Sequence, residues 1–175
     1  MSRFWGHLKT ISRHKWKVTM LCFRCGLYKQ GLLHDLSKYS FVEFWAGVKF
    51  YQGHRSPIDR EKEVNGYSMG WLHHKGRNKH HWEYWLDNAY HGVKPIEMPI
   101  NYVVEMFCDR IAASQIYQKE NYTDASAYEY LMRGYDHVIM HEHTLELIKD
   151  LLERVKDNGL DSTILYIRKE VLHNK

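Results

Sequence analysis

Residues 31–41 read GLLHDLSKYSF, an apolar run ending in His34-Asp35 and followed by Lys38 and Ser40. Leu32 and Leu33 favour helix, so Leu27 to Asp35 reads as a short helical segment that ends on two ligand-type side chains. Ser40-Phe41-Val42-Glu43 then has the spacing of a capping box, which predicts a new helix running to about Gly53. Two helical segments thus meet where His34, Asp35 and Lys38 stand together.

Outward from that stretch the helical signal continues. Between residues 4 and 25, Leu8, Ile11, Val18, Leu21, Cys22 and Cys25 recur at steps of three and four, with Gly26 as the stop. His14 falls on the same inward stripe. Downstream, Pro57 and Asn65-Gly66 punctuate a loop-rich stretch. Tyr67 to His74 and Lys79 to His91 then read as two helices separated by Lys75-Gly76-Arg77-Asn78, with Asn78 as N-cap. Pro95 and Pro99 bracket a loop before a long helix from Ile100 to Glu120, whose buried face carries Val103, Val104, Phe107 and Ile111. Segments 124–143, 144–158 and 161–173 read as three amphipathic helices, broken at Asn158-Gly159. No strand alternation, internal repeat or low-complexity segment stands out. The expectation is an all-α bundle in a single domain, 1–175. Helices 4–121 would carry the ligand-type residues, and helices 124–173 would complete the bundle or form an interface with a second copy.

Composition narrows the function classes. A chain of 175 residues is the size of one domain, and 44% hydrophobic with 26% charged residues excludes disorder. No stretch approaches a membrane span or a signal-peptide core, so the expected location is cytoplasmic with no membrane partner. The three cysteines cannot form a closed disulfide framework, and Cys22-Phe-Arg-Cys25 lacks the second pair a structural zinc site needs. Histidine is in excess, with 13 against six phenylalanines, and nine of the 13 lie at or before His91. That half also holds 15 Lys+Arg against 7 Asp+Glu, whereas residues 92–175 hold 10 against 14. The region richest in metal-ligand types should therefore attract anions.

The ligand-type residues fall in the order His14, His34-Asp35, His73-His74, His80-His81 and Asp109, from different helices. This order resembles the HD superfamily of metal-dependent phosphohydrolases, and GLLHDLSKYSF is close to its apolar-run-HD-x-x-K signature, with Lys38 in the lysine place. More closely, the chain resembles a family of small bacterial and phage proteins with no assigned function, through the segments HDLSKYS, YQGHRSP, WLHHKGRNKHHWEYW and EMFCDRIAAS. The superfamily resemblance implies an HD-like helical bundle holding one or two divalent ions through His14, His34, Asp35, His74, His80, His81 and Asp109. Which member of each histidine pair faces inward stays open.

The residue types suit that task independently. Imidazole and carboxylate hold Mn, Fe, Co or Zn, and a carboxylate such as Asp35 can bridge two ions. Lys38 and Glu43 are candidate catalytic groups, although Glu43 as third residue of a capping box also has a structural role. Arg55, Lys75, Arg77 and Asn78 are candidates to bind a small anionic, phosphorylated substrate. Against these stand plainer readings. A lone histidine such as His14 is ordinarily a hydrogen-bonded core group, and Asp109 beside Arg110 could be a simple ion pair. His7 shares a face with His14 but has no counterpart in the resemblance. Trp71, Trp82, Tyr84, Trp85 and Tyr90 could stack nucleic-acid bases, yet their spacing suits helix packing better. His137, His141 and His143 read as a solvated helix end rather than a second zinc site. The expected activity is hydrolysis of a phosphomonoester or phosphodiester, of a nucleotide or related metabolite. The competing readings are a mixed-valent di-iron oxygenase of the same superfamily and a non-catalytic module, stabilised by metal, that binds nucleic acid or protein.

Overall fold

In α1 (Arg3–Cys25) Ser2 accepts from the backbone N–H of Trp5, and the helix ends on Gly26 at φ 90°. The N–H groups of Gly26 and Leu27 then close on the carbonyls of Phe23 and Cys22, a left-handed cap that glycine adopts without strain. The computed structural model of the chain describes residues 2–173. Short α2 (Tyr28–Leu33) follows, then a single 3-10 turn at Leu36–Tyr39 and α3 (Phe41–Phe50). Ser40 caps α3 by accepting from the Glu43 N–H. The Glu43 carboxylate does not return to Ser40 and is directed inward, so only half of the expected capping box forms.

The stretch read as loop-rich contains a helix, α4 (Pro57–Asn65). Pro57 occupies its first turn and Gly66 its end, at φ 80°, the ordinary asymmetry of a helix rather than loop punctuation. In α5 (Met69–Lys75), Ser68 caps the first turn, and buried Glu61 accepts from Ser68 Oγ and from the N–H groups of Met69 and Gly70.

Residues 79–91 do not form the expected helix. Trp82–Trp85 make a 3-10 turn, and β1 (Leu86–Ala89) pairs antiparallel with β2 (Gly92–Pro95), in the register Leu86 to Pro95 and Ala89 to Gly92. Both strands are almost wholly solvent-facing, so they carry no apolar alternation for sequence reading to detect. Asn78 is correspondingly not an N-cap. It follows α5, and its side-chain amide donates back to the His74 carbonyl and to Ser37 Oγ, both at 2.8 Å.

The long helix α6 (Ile100–Gln118) buries Val103, Val104, Phe107 and Ile111 as expected. Beyond it the segment expected as one helix over 124–143 is broken: α7 (Ser126–Arg133) stops at Gly134, and α8 (Glu142–Asn158) starts only after a 3-10 turn. After Gly159 the chain forms α9 (Leu160–Tyr166), whose end widens into a π turn. One hydrophobic cluster joins α1, α6, α7, α8 and α9 through Val18, Phe107, Leu131, Ile148, Leu152 and Ile167. The protein is a mostly α single domain, and the C-terminal helices complete its core. None of its described helices is long and apolar enough to cross a membrane.

Candidate metal centre

The site begins at the turn after α2. Asp35 adopts a left-handed conformation, φ 54°, which is unusual for a residue with a Cβ but tolerated by aspartate. Lys15 of α1 holds this turn, donating to the carbonyls of Leu32 at 2.7 Å and His34 at 3.0 Å. Both His34 and Asp35 are consequently buried, in the space where α1, α5 and α6 converge.

Two ligand groups share Asp35. His14, His34, Asp35 and Asp109 form one; Asp35, His74, His80 and His81 form the other. In each, one donor atom per residue lies within 4.8 Å of all the rest. His14 Nε2 stands 2.8 Å from Asp109 Oδ1 and His34 Nε2 3.2 Å from Asp35 Oδ2. On the other side, Nε2 of His74 and of His80 lie 3.3 and 3.4 Å from Asp35 Oδ1. These approaches lack hydrogen-bond alignment. Nε2 of His14, His34, His80 and His81, and both oxygens of Asp35, are buried with no aligned hydrogen bond among the described residues, although Lys38 forms an ion pair with Asp35 Oδ2.

Such a concentration of orphaned groups is costly unless something satisfies it. The imidazoles' other nitrogens narrow what could. His34 and His80 each direct Nδ1 to Glu105 Oε1, at 2.9 and 3.2 Å, and His74 directs Nδ1 to Glu43 Oε2 at 2.7 Å. A carboxylate can only accept, so each Nδ1 carries the proton and each Nε2 presents a lone pair toward Asp35. Carboxylate behind imidazole, with the imidazole's free nitrogen in front, is the arrangement that orients metal-binding histidines. The donor set therefore fits one or two divalent transition-metal ions.

Electrostatics agree for most of the set, and His34 is the exception: burial opposes its charge, but Asp35, Asp109 and Glu105 prevail and raise its pKa well above the ordinary histidine value. Burial opposes ionisation of Asp35, but His34, Lys38 and His74 outweigh it and hold the carboxyl well below the usual range. Asp109 behaves alike: burial opposes, while His14 and His34 prevail. Burial and Lys38 push His14 down, and burial with His80 and His74 pushes His81 well down, favouring the neutral rings that a metal requires. For Lys38 burial works against the charge, yet Asp35, 2.5 Å from its Nζ, and Asp109 raise its pKa.

A cavity of about 620 Å³ opens over the cluster, within the range of small-molecule sites. His14, Lys38, Glu43, His74, His81 and Asp109 line it. Of the expected substrate-binding residues, Arg55 also lines it but is paired through both terminal nitrogens with Glu63. Lys75 and Arg77 are outside the lining, and exposed Arg77 rests on the His73 carbonyl. Asn78 is buried in the hydrogen bonds already described. Glu43 has both oxygens engaged, by His73, His74 and Ser37, so it positions imidazoles. His73 is thereby turned away from the ligand groups. Trp71 lies edge-on to His81, while Trp82 and Trp85 pack beside the core.

A family model described as a family of unknown function (DUF5662) matches residues 3–154. The chain belongs to that family. No curated protein and no solved structure matches it. The matched span takes in every DUF5662 residue of the two ligand groups and the cavity wall. Sequence reading missed Glu105; its available signal is its place on the buried face of α6, since a core carboxylate needs donors. Arg110, half-buried in the cavity wall and drawn down in pKa by burial, was read only as a partner for Asp109. His34, His80 and Glu105 make a third, buried grouping of ligand-type atoms, and a fourth, Glu97 with His141 and His143, lies near the surface at the start of α8.

Proposed function

We propose that this DUF5662 protein is a phosphohydrolase that works with two divalent metal ions, on a phosphomonoester or phosphodiester of a nucleotide or related metabolite. The observation that carries the reading is Asp35 shared between two largely buried ligand groups, in which Nε2 of His14, His34, His80 and His81 has no hydrogen-bond partner among the described residues. The ligand order and Lys38 inside HDLSK support it by likeness to the HD superfamily, which is an argument from analogy. When bound, such ions polarise a phosphoryl oxygen and activate water for attack.

The chain's own residues supply the rest. Glu105 and Glu43 fix the imidazoles, so no ligand must reorient when ions enter. Lys38 lines the cavity beside Asp35 and offsets negative charge that gathers on a transferring phosphoryl group. The concave wall excludes bulk water from a substrate held there, which strengthens each of these interactions.

The test is phosphate release from a phosphoester and nucleotide panel, without oxygen, by protein loaded with Mn²⁺ or Co²⁺. The reading expects turnover under those conditions. Turnover that requires both iron and O₂ would replace it with the oxygenase. A protein that holds metal but neither binds phosphate nor turns over any phosphoester would be a binding module.

A further inference from the structure

Arg110 follows Asp109 on α6 and lines the cavity on the same face as Met106, Ala113 and Tyr117. Its surroundings differ from those of the other cavity cations. Arg55 is paired with Glu63 and Lys38 with Asp35. Among the described residues the Arg110 guanidinium makes no hydrogen bond and no ion pair; its electrostatic neighbours Asp109, Glu83 and Tyr130 lie beyond pairing distance.

Charge around it is unbalanced. Glu83, which lines the same cavity, feels three cations, Arg110, Lys75 and Lys62, and its Oε2 has no hydrogen-bond partner among the described residues. Lys62 also lines the cavity, over the Trp71 ring. A guanidinium stays charged at any ordinary pH and presents a rigid fork of N–H donors. Left half-desolvated without an acceptor it is unfavourable, and two parallel N–H groups match the oxygens of a phosphoryl group.

We propose that Arg110 is the anion receptor of the cavity, taking phosphoryl oxygens of the substrate beside the Asp109 edge of the metal centre. The substrate class rests on the phosphohydrolase reading; the receptor role rests on the unpartnered guanidinium. It transfers to Arg110 the part that sequence reading assigned to Arg55, Lys75, Arg77 and Asn78.

The experiment titrates inorganic phosphate into metal-loaded protein by calorimetry, for the intact chain, Arg110→Gln and Arg110→Lys, with metal content measured on each. Arg110→Gln should keep its metal and lose phosphate affinity by about tenfold or more, with Arg110→Lys recovering part of the loss. A smaller loss in Arg110→Gln, with phosphate binding the intact protein, would overturn the receptor role and leave the phosphohydrolase reading standing. Loss of metal from Arg110→Gln would mean that the side chain acts through Asp109, which also overturns it. Failure of phosphate to bind the intact, metal-loaded chain would remove both proposals together.

Discussion

Glu105 accepts from Nδ1 of His34 at 2.9 Å, and that contact decides which way the imidazole's other nitrogen faces. The same oxygen serves His80 at 3.2 Å, so one buried carboxylate on α6 orients a ligand in each of the two groups.

Replacing Glu105 with Gln should therefore weaken both sites at once. An amide offers one acceptor oxygen without the charge and adds a donor that neither Nδ1–H can accept. Metal affinity should fall about 10- to 100-fold while helix content stays near that of the intact chain. Competition with a fluorescent chelator measures it; unchanged affinity would mean that His34 and His80 are held by packing alone.

Much of this centre was legible in the sequence. Helical periodicity placed His14 on an apolar stripe and Asp109 in a long helix, while the resemblance to the HD superfamily is what joined them to His34-Asp35 as one ligand set. What was not legible depended on side-chain direction or on exposed backbone. Which of His73 and His74 faces inward is set by Glu43, which holds both through Nδ1. The hairpin after Trp85 exposes nearly every residue, leaving no pattern to read, and Pro57 marks a helix start as readily as a loop. Arg110 lies beside Asp109 in sequence but is unpaired in space, a relation that no linear reading contains.

Gly47 should tolerate no side chain. A Cβ there would overlap the imidazole of His7, which packs on the α3 backbone with both nitrogens unpartnered. Gly47→Ala should destabilise the protein by about 1–3 kcal/mol through overpacking between α1 and α3. Denaturant unfolding at neutral pH checks this, and a variant as stable as the intact chain would show that His7 moves aside freely.

His7 also predicts an acid sensitivity. Burial, with Lys38 adding to it, lowers its pKa to about 4, below that of an unfolded histidine. As pH falls from about 6.5, the unfolded chain takes up a proton that the folded chain refuses, so stability declines until the folded pKa is reached. The drop in melting temperature between about pH 7 and about pH 5 should be smaller in His7→Asn than in the intact protein. Identical drops would assign that sensitivity to the other buried histidines.

The shared position of Asp35 is tested most directly by elemental analysis of protein reconstituted with Mn²⁺, Co²⁺ or Zn²⁺ and freed of excess ion. The intact chain should hold about two equivalents, His14→Ala and His80→Ala about one each, and Asp35→Ala almost none, all with near-native helix content. Full metal content in Asp35→Ala, or none in the intact chain, would contradict the account.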